Sequence, residues 1–166
     1  MTCTLLTFRR PISEDHDRVM AVMVGWWGGR DLRPMLPRIF FEHFRSTSLV
    51  AEYEDELIGF LVGFPCPDHA DEAYVHFAGV HPAWRGAGLG RDLYRRFFGV
   101  ARAHGRSVVR AVTAPVNTAS IAFHTALGFA ILPGDHEVDG LPVSLGPGPQ
   151  GEYVVRFELK LDEGPA

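Results

Sequence analysis

Three glycines alternate directly before a predicted helix, at Gly86, Gly88 and Gly90. Because glycine has no Cβ, the backbone there can adopt unusual φ angles and let a ligand approach its amide groups closely. The predicted helix places its positive end at these amides, which favours a bound phosphate. Arg85 precedes the glycines and adds a positive charge. Residues 85–90 are therefore a candidate anion site, and the alternative is a tight turn that only reverses the chain.

The spacing of these glycines differs from that of two common phosphate-binding loops. G-x-G-x-G is not the dinucleotide fingerprint G-x-G-x-x-G. The Walker loop requires Lys and then Ser or Thr after its last glycine, whereas Arg91 and Asp92 follow Gly90 here. A Rossmann dinucleotide site and a nucleoside triphosphatase are both disfavoured.

The glycine loop lies between a predicted strand, residues 73–80, and a predicted amphipathic helix. Leu89, Leu93, Phe97 and Val100 recur at helical spacing, so this helix begins near Gly88. The other predicted strands cover residues 4–8, 49–53, 57–64, 107–113, 129–132 and 153–161. Three other helices are predicted: one that begins after Ser13 as its N-cap, one over 35–45 and one over 117–127. This order predicts a mixed α/β fold.

Composition places limits on the class of protein. The 166 residues, 46% of them hydrophobic, suit a single domain over 1–166. Sixteen Lys and Arg against twenty Asp and Glu give a net charge of −4, which disfavours a nucleic-acid partner. Neither a signal peptide nor a membrane span is predicted, so we expect a cytoplasmic protein. Cys3 and Cys66 are too few for a disulfide framework and are expected to be reduced and structural.

Two motifs resemble those of the GCN5-related N-acetyltransferases, the GNAT family. Arg85-x-x-Gly88-x-Gly90 is similar to the family's pyrophosphate loop, R/Q-x-x-G-x-G/A. Asn117, Ser120 and the segment 123–129 look like the family's Asn-then-F-Y-x-x-x-G-F segment. The resemblance implies a mostly antiparallel central sheet flanked by helices. It also implies acetyl-CoA as co-substrate and transfer of its acetyl group to a primary amine by direct attack.

The resemblance further implies which residues contact the coenzyme. A backbone amide near Val80 would polarise the thioester carbonyl, the glycine loop would hold the pyrophosphate, and the second motif would contact the pantetheine arm. The implied residues are Val80, Arg85, Gly86, Ala87, Gly88, Leu89, Gly90, Asn117, Ser120 and His124. A helix from Asn117 would place Ser120 and His124 on one stripe, and its apolar face, with three alanines, would pack on the sheet. The alternative is that the polar stripe is only a solvated face.

Two histidines are candidate catalytic residues. His124 stands where many family members carry a tyrosine that acts as general acid, so the resemblance implies either an acid or a hydrogen-bonding and packing residue. Imidazole has an ordinary pKa of ~6.5, and its neutral form is a poor acid. His76 is the candidate base because alternation on its strand turns it toward the ligand end. Its alternative is a core histidine, with a water chain as the base.

The remaining expectations concern partners. Cys66, His69, His76 and His81 show no recognised ligand spacing, so no metal site is predicted. The acceptor is expected to be a small-molecule or peptide amine, flanked by residues 26–37 and 133–151, and a homodimer is allowed. Asp135, Glu137 and Asp139 would share a face if extended and could hold a cationic amine; the alternative is a solvated acidic loop. A coenzyme-binding sensor without transfer, and an interaction module built on Trp26 and Trp27, are the competing functions.

Overall fold

The computed structural model describes residues 6–148 and 150–162, and the chain divides into two compact units. Unit 1 comprises residues up to 64 and residues 76–100, and unit 2 comprises residues 65–75 and those from 101 onward. The expectation of a single domain stays a prediction. Cys3 and the first two residues of the predicted strand 4–8 lie outside the described residues.

Unit 1 contains the elements on both sides of the glycine loop. They are β1 (Thr7–Arg9), α1 (Asp15–Trp26), α2 (Ile39–His43), β2 (Leu49–Tyr53), most of β3 (Glu56–Pro65), the second half of β4 (Glu72–Val80) and most of α3 (Leu89–Ala103). Strand β2 pairs antiparallel with both β1 and β3. The predicted strands 49–53 and 57–64 are confirmed and form a hairpin, in which Glu54 and Asp55 make the turn with φ values of 50° and 64°. Such left-handed backbone suits a tight two-residue hairpin turn.

Two predicted helices of unit 1 differ in detail from the structure. Ser13 does not cap α1; the carboxylate of Asp15, 1% exposed, instead accepts a bond from the Ile12 amide and pairs with Arg9 at 2.7 Å. The predicted helix 35–45 is reduced to α2. Pro37 has no amide proton, and Leu36 before it has the non-helical angles φ −130° and ψ 70°. The core of this unit is apolar and is formed by Val19, Met23, Trp26, Leu36, Phe41, Val50, Leu57, Phe60 and Val62.

Unit 2 contains the start of β4 and the elements after α3. They are β5 (Val108–Thr113), α4 (Thr118–Ala126), β6 (Ala130–Ile131), β7 (His136–Val138), β8 (Leu141–Leu145) and β9 (Tyr153–Lys160). Strands β4 and β5 run parallel, whereas β9 pairs antiparallel with β5, β6 and β8. The antiparallel hairpin of β7 and β8 was not predicted. Its turn lies at Asp139, where φ is 50°, so the extended segment that would place Asp139 on one face with Asp135 and Glu137 ends at Val138.

The predicted fold class is confirmed, because the elements form a mixed α/β fold with a mostly antiparallel sheet flanked by helices. Within the described residues, no helix combines the length and the apolar character that a membrane span requires.

Candidate functional site

The glycine loop of unit 1 connects β4 to α3. A short 3-10 turn, Pro82–Trp84, follows β4, and the Nδ1 of His81 accepts a bond from the Ala83 amide at 3.0 Å. Gly86 and Gly88 then have φ values of +77° and +89°, which strongly favour glycine. A Cβ added at either position would meet no atom within 4 Å, so both glycines border open space. The loop is thus shaped by backbone conformation and leaves room beside it.

Amide groups converge where this loop becomes α3. The first bond of the helix runs from the Asp92 amide to the Gly88 carbonyl at 3.0 Å. The amides of Leu89, Gly90 and Arg91 precede that bond and therefore have no carbonyl partner one turn earlier in the helix. They lie at the positive end of a 15-residue helix. This arrangement can accept a diphosphate without any cationic side chain.

The side chain of Arg85 is engaged within unit 1. Its Nε donates to the Val80 carbonyl at 3.2 Å, and a terminal nitrogen donates to the Trp26 carbonyl. These bonds tie the loop to the ends of β4 and α1. The guanidinium therefore has a structural role, and the expected contact of Arg85 with a pyrophosphate stays a prediction.

Gly79 lies under the aromatic side chains of unit 1. A Cβ at this position would stand 2.4 Å from Cη2 of Trp27 and 2.8 Å from Cε1 of Phe60. Any side chain there would displace a buried ring, so the glycine permits close packing next to Val80. The amide of His81 donates to the Ile58 carbonyl at 2.8 Å and is thus occupied.

His76 is a half-buried residue of β4. Its ring stacks on Phe40 with centroids 4.1 Å apart and planes 13° apart, and its Nε2 lies 2.7 Å from the Met35 carbonyl oxygen. Because a carbonyl only accepts, Nε2 carries the proton and Nδ1 has the lone pair. Burial lowers the pKa of His76 below its ordinary value of 6.5, although the Met35 bond opposes this shift. The ring is therefore neutral at pH 7 and basic at Nδ1.

Helix α4 of unit 2 brings the second group of predicted residues together. Oδ1 of Asn117 caps the helix by accepting from the Ser120 amide at 3.1 Å. The Ser120 carbonyl accepts from Nδ1 of His124 at 2.8 Å, and the Ser120 hydroxyl is 3.3 Å from the same nitrogen. The three polar residues thus form one connected stripe, as the spacing predicted.

The orientation of that stripe differs from the prediction. His124 is only 5% exposed and stacks on Phe157 at 4.6 Å, whereas the three alanines of the predicted packing face are exposed: Ala119, Ala122 and Ala126. Alanine buries little apolar area, so the aromatic contact with Phe157 outweighs the apolar pattern. The polar stripe is accordingly not a solvated face.

The protonation of His124 follows from the same contacts. Burial lowers the pKa of His124, and the bond with the Ser120 carbonyl partly opposes the shift. Since that carbonyl requires a proton on Nδ1, the neutral ring has its lone pair on Nε2. A neutral imidazole in this tautomer accepts a proton at Nε2 and does not donate one there.

Unit 2 also contains a cavity of about 360 Å³ that sequence reasoning missed. Polar side chains from three strands line it, among them Glu72, Tyr74, Arg110 and Arg156. Arg110 and Arg156 each have an apolar residue on both sides in the sequence, which was a signal that each arginine points to the opposite face of the sheet from those neighbours. The register that joins the strands was needed to show that these side chains meet.

Comparison with known proteins places these features in context. The model of the acetyltransferase (GNAT) family matches residues 16–129. L-2,4-diaminobutyric acid acetyltransferase of Nocardia farcinica is 32% identical over 84 residues, which are 51% of this chain and 44% of that protein. L-methionine sulfoximine/L-methionine sulfone acetyltransferase of Salmonella typhimurium is 45% identical over 56 residues, or 34% and 33% of the two chains. The chain thus spans about half the length, or less, of these curated relatives.

Solved structures show the same fold. Diaminobutyrate acetyltransferase from Paenibacillus lautus, in complex with L-2,4-diaminobutyric acid and coenzyme A, has a TM-score of 0.74 at 20% identity and covers 98% of this chain and 99% of its own. The yncA protein from Salmonella typhimurium, with its cofactor acetyl-CoA, has a TM-score of 0.65 at 23% identity and covers 97% of this chain and 96% of its own.

Proposed function

Because the chain belongs to the acetyltransferase (GNAT) family, we propose that it transfers the acetyl group of acetyl-CoA to a primary amine of a small molecule. The observation that carries this proposal is the loop before α3, where two left-handed glycines border open space and the first amides of a long helix have no carbonyl partner within that helix. The family resemblance assigns a pyrophosphate to that position. The same loop would also serve a coenzyme-binding sensor, so turnover with an amine is what separates transfer from binding alone, and an interaction module has no comparable observation.

The coenzyme would be held by backbone groups more than by charged side chains. Residues 86–90 would receive the pyrophosphate, and the exposed amides favour two negative charges there. The pantetheine arm would lie along Asn117, Ser120 and His124. The hydrogen bonds that connect these three residues hold them in a fixed arrangement. Acetyl-CoA supplies an activated acyl group as a thioester.

The amine must be neutral when its nitrogen attacks the thioester carbon. We assign proton removal to His76, because burial keeps it neutral and the Met35 carbonyl leaves the lone pair on Nδ1. The Val80 amide would stabilise the developing oxyanion, since the next amide, that of His81, is already bonded to Ile58. As the C–S bond breaks, the leaving thiolate takes up a proton, either from His124 or from water.

His124 is the family-implied donor of that proton. Its neutral tautomer has no proton on Nε2, so it would act as an acid only in the imidazolium form, which its lowered pKa disfavours at pH 7. We therefore favour the second role that the sequence left open, in which His124 positions α4 through Phe157 and Ser120.

The acceptor is proposed to be a small amine-bearing molecule. The curated relatives are named for free amino acids, L-2,4-diaminobutyric acid and L-methionine sulfoximine or sulfone. We also propose a cytoplasmic enzyme, in keeping with a chain that holds only two cysteines and keeps Cys66 as a free buried thiol. The homodimer stays a prediction.

Calorimetry of acetyl-CoA binding tests the coenzyme site with Gly88→Glu and Gly88→Gln. Both variants impose the same strain at φ +89°, but only glutamate places a carboxylate where the anion would bind. We expect binding by the Glu variant to be weaker than binding by the Gln variant by about tenfold or more. Gly105→Glu, at another left-handed glycine, is the control for strain and charge elsewhere. Equal binding by the Glu and Gln variants would refute this site, and an absence of amine-dependent coenzyme A release by the wild type would refute the transfer.

A further inference from the structure

The cavity of unit 2 has a mixed polar and apolar wall. Its polar side includes Glu72 and Tyr74 of β4, Arg110 of β5 and Arg156 of β9, and its apolar side includes Leu132 and Phe157. Its volume of about 360 Å³ is within the range of small-molecule sites, about 300–1,000 Å³. A cavity of this size and lining suits a small polar metabolite with a short apolar part.

The two guanidinium groups of the wall are not equivalent. Arg110 lies between two carboxylates, 3.1 Å from Glu72 and 2.9 Å from Glu158, so its charge is neutralised. Arg156 donates to the neutral carbonyl of Pro133 at 3.2 Å, and among the described residues no carboxylate lies within ion-pair distance of it. Arg156 is exposed, and its guanidinium is thus the cation of the cavity wall that has no carboxylate partner among the described residues.

Other groups in the wall also favour an acceptor of hydrogen bonds. Burial raises the pKa of Tyr74 to about 12, so its phenol stays protonated and neutral at pH 7. Nε of Arg110 is buried without a hydrogen-bond partner in the part of the chain that the structure describes. A carboxylate accepts several bonds at once, and arginine matches its planar geometry.

The cavity is connected to the proposed coenzyme-contacting helix through one residue. Phe157 contributes to the cavity wall, and its ring stacks on His124 of α4 at 4.6 Å. A ligand in the cavity would thus share a wall with a residue assigned to the pantetheine arm. This proximity within unit 2 favours the acetyl acceptor over an unrelated ligand.

We propose that this cavity binds the carboxylate of a free amino acid, with Arg156 as the residue that selects it. The inference rests on the proposed transfer activity and gives its acceptor a chemical class. The carboxylate pairs with the Arg156 guanidinium. The amine that is to be acetylated is either the α-amine beside this carboxylate or a side-chain amine at the other end of the molecule. Amines without a carboxylate would bind more weakly, because they cannot form the charge-assisted pair with the Arg156 guanidinium.

A double-mutant cycle between protein and substrate tests this inference. L-2,4-diaminobutyrate and L-methionine sulfone are each compared with their carboxamides on the wild type, Arg156→Gln and Arg156→Lys. We expect Arg156→Gln to lower kcat/KM for the acids by about 10- to 100-fold, which is the range of a lost charge-assisted bond, and to change kcat/KM for the carboxamides little. Arg156→Lys should retain part of the preference. The ratio of ratios cancels the different basicity of the two amines.

Arg102→Gln is the matched control, since Arg102 is an exposed arginine of the same unit that bonds only a carbonyl, that of Asp162, among the contacts of the described residues. Retained turnover of the carboxamides shows that the Arg156 variants are folded. Equal losses for acids and carboxamides, or none, would overturn the carboxylate site while leaving the transfer activity intact. If the wild type acetylates no member of the panel, calorimetry with the same acids decides: binding that Arg156→Gln abolishes supports the site, and absent or unchanged binding overturns it.

Discussion

His76 in unit 1 and His124 in unit 2 have closely similar surroundings. Each ring stacks on a phenylalanine, at 4.1 Å on Phe40 and 4.6 Å on Phe157, and each donates to a backbone carbonyl. Burial lowers the pKa of both. They differ in the nitrogen that donates, which is Nε2 in His76 and Nδ1 in His124.

This difference follows from local geometry. The carbonyl that His124 contacts belongs to Ser120, one turn earlier in the same helix, and a side chain in that position presents Nδ1, the nitrogen nearer its own backbone. His76 reaches Met35, 41 residues away, with the far end of its ring. Residue type and burial therefore do not assign a catalytic role; the carbonyl that the ring contacts determines where the lone pair lies.

The largest expected effect is a loss of turnover on substitution of His76. His76→Phe preserves the aromatic stack with Phe40 but removes the base, and His76→Gln also removes the base but can still donate to Met35. We expect both to lower kcat by about 10²- to 10⁴-fold, with coenzyme affinity nearly unchanged. Steady-state kinetics and calorimetry measure the two quantities, and His104→Phe, at an exposed position, is the control. Retained turnover in the Gln variant would show that His76 is not the base and would leave water in that role.

The pH dependence of kcat distinguishes the roles by sign. A base of lowered pKa is active when neutral, so turnover is present above that pKa and is lost about tenfold per pH unit below it. An acid at His124 predicts the opposite, with turnover gained as pH falls through its own lowered pKa. We expect the loss on the acidic side, below pH 6.5, in the wild type and not in His76→Gln. Rising turnover toward low pH, removed by His124→Phe, would restore His124 as the acid.

The smallest expected effect concerns His124 itself. Phenylalanine at this position retains the stack on Phe157 and loses one bond to the Ser120 carbonyl, which is worth about 0.5–1.5 kcal/mol. We expect His124→Phe to lower kcat less than about tenfold and to reduce stability by a similar small amount. His124→Tyr, which places the usual acid of the family there, should keep or raise turnover. If His124→Phe lowered kcat as much as His76→Phe does, the assignment of a catalytic role to His76 and a structural role to His124 would be wrong.

Local signals predicted the elements that position the coenzyme site. The start of α3 at Leu89 was within one residue of the prediction, because the glycines and the apolar spacing both indicate it. The hairpin of β7 and β8 was missed, since Gly140 and Pro142 are typical of loops. Its pairing comes from contacts with β9, which the local sequence does not encode.

The parts of the candidate site formed by residues close together in the sequence were predicted. The parts that depend on how distant strands pair were missed. Asn117, Ser120 and His124 lie at helical spacing, so their contact was readable from the chain. The direction they face was not, because it depends on Phe157 in a distant strand. Arg110 and Arg156 required the alignment of β5 with β9 to be brought to one cavity.

The close packing of Trp27 on Gly79 has a consequence for spectroscopy. All three tryptophans of the chain, Trp26, Trp27 and Trp84, belong to unit 1. Trp84 lies within the 3-10 turn that leads into the glycine loop, and Trp27 covers the backbone of β4 just before it. Selective excitation of indole therefore follows unit 1 alone, and unit 2 is silent in that signal. The protein thus has an intrinsic fluorophore at the proposed coenzyme loop, so stopped-flow emission can time the arrival of coenzyme without any label.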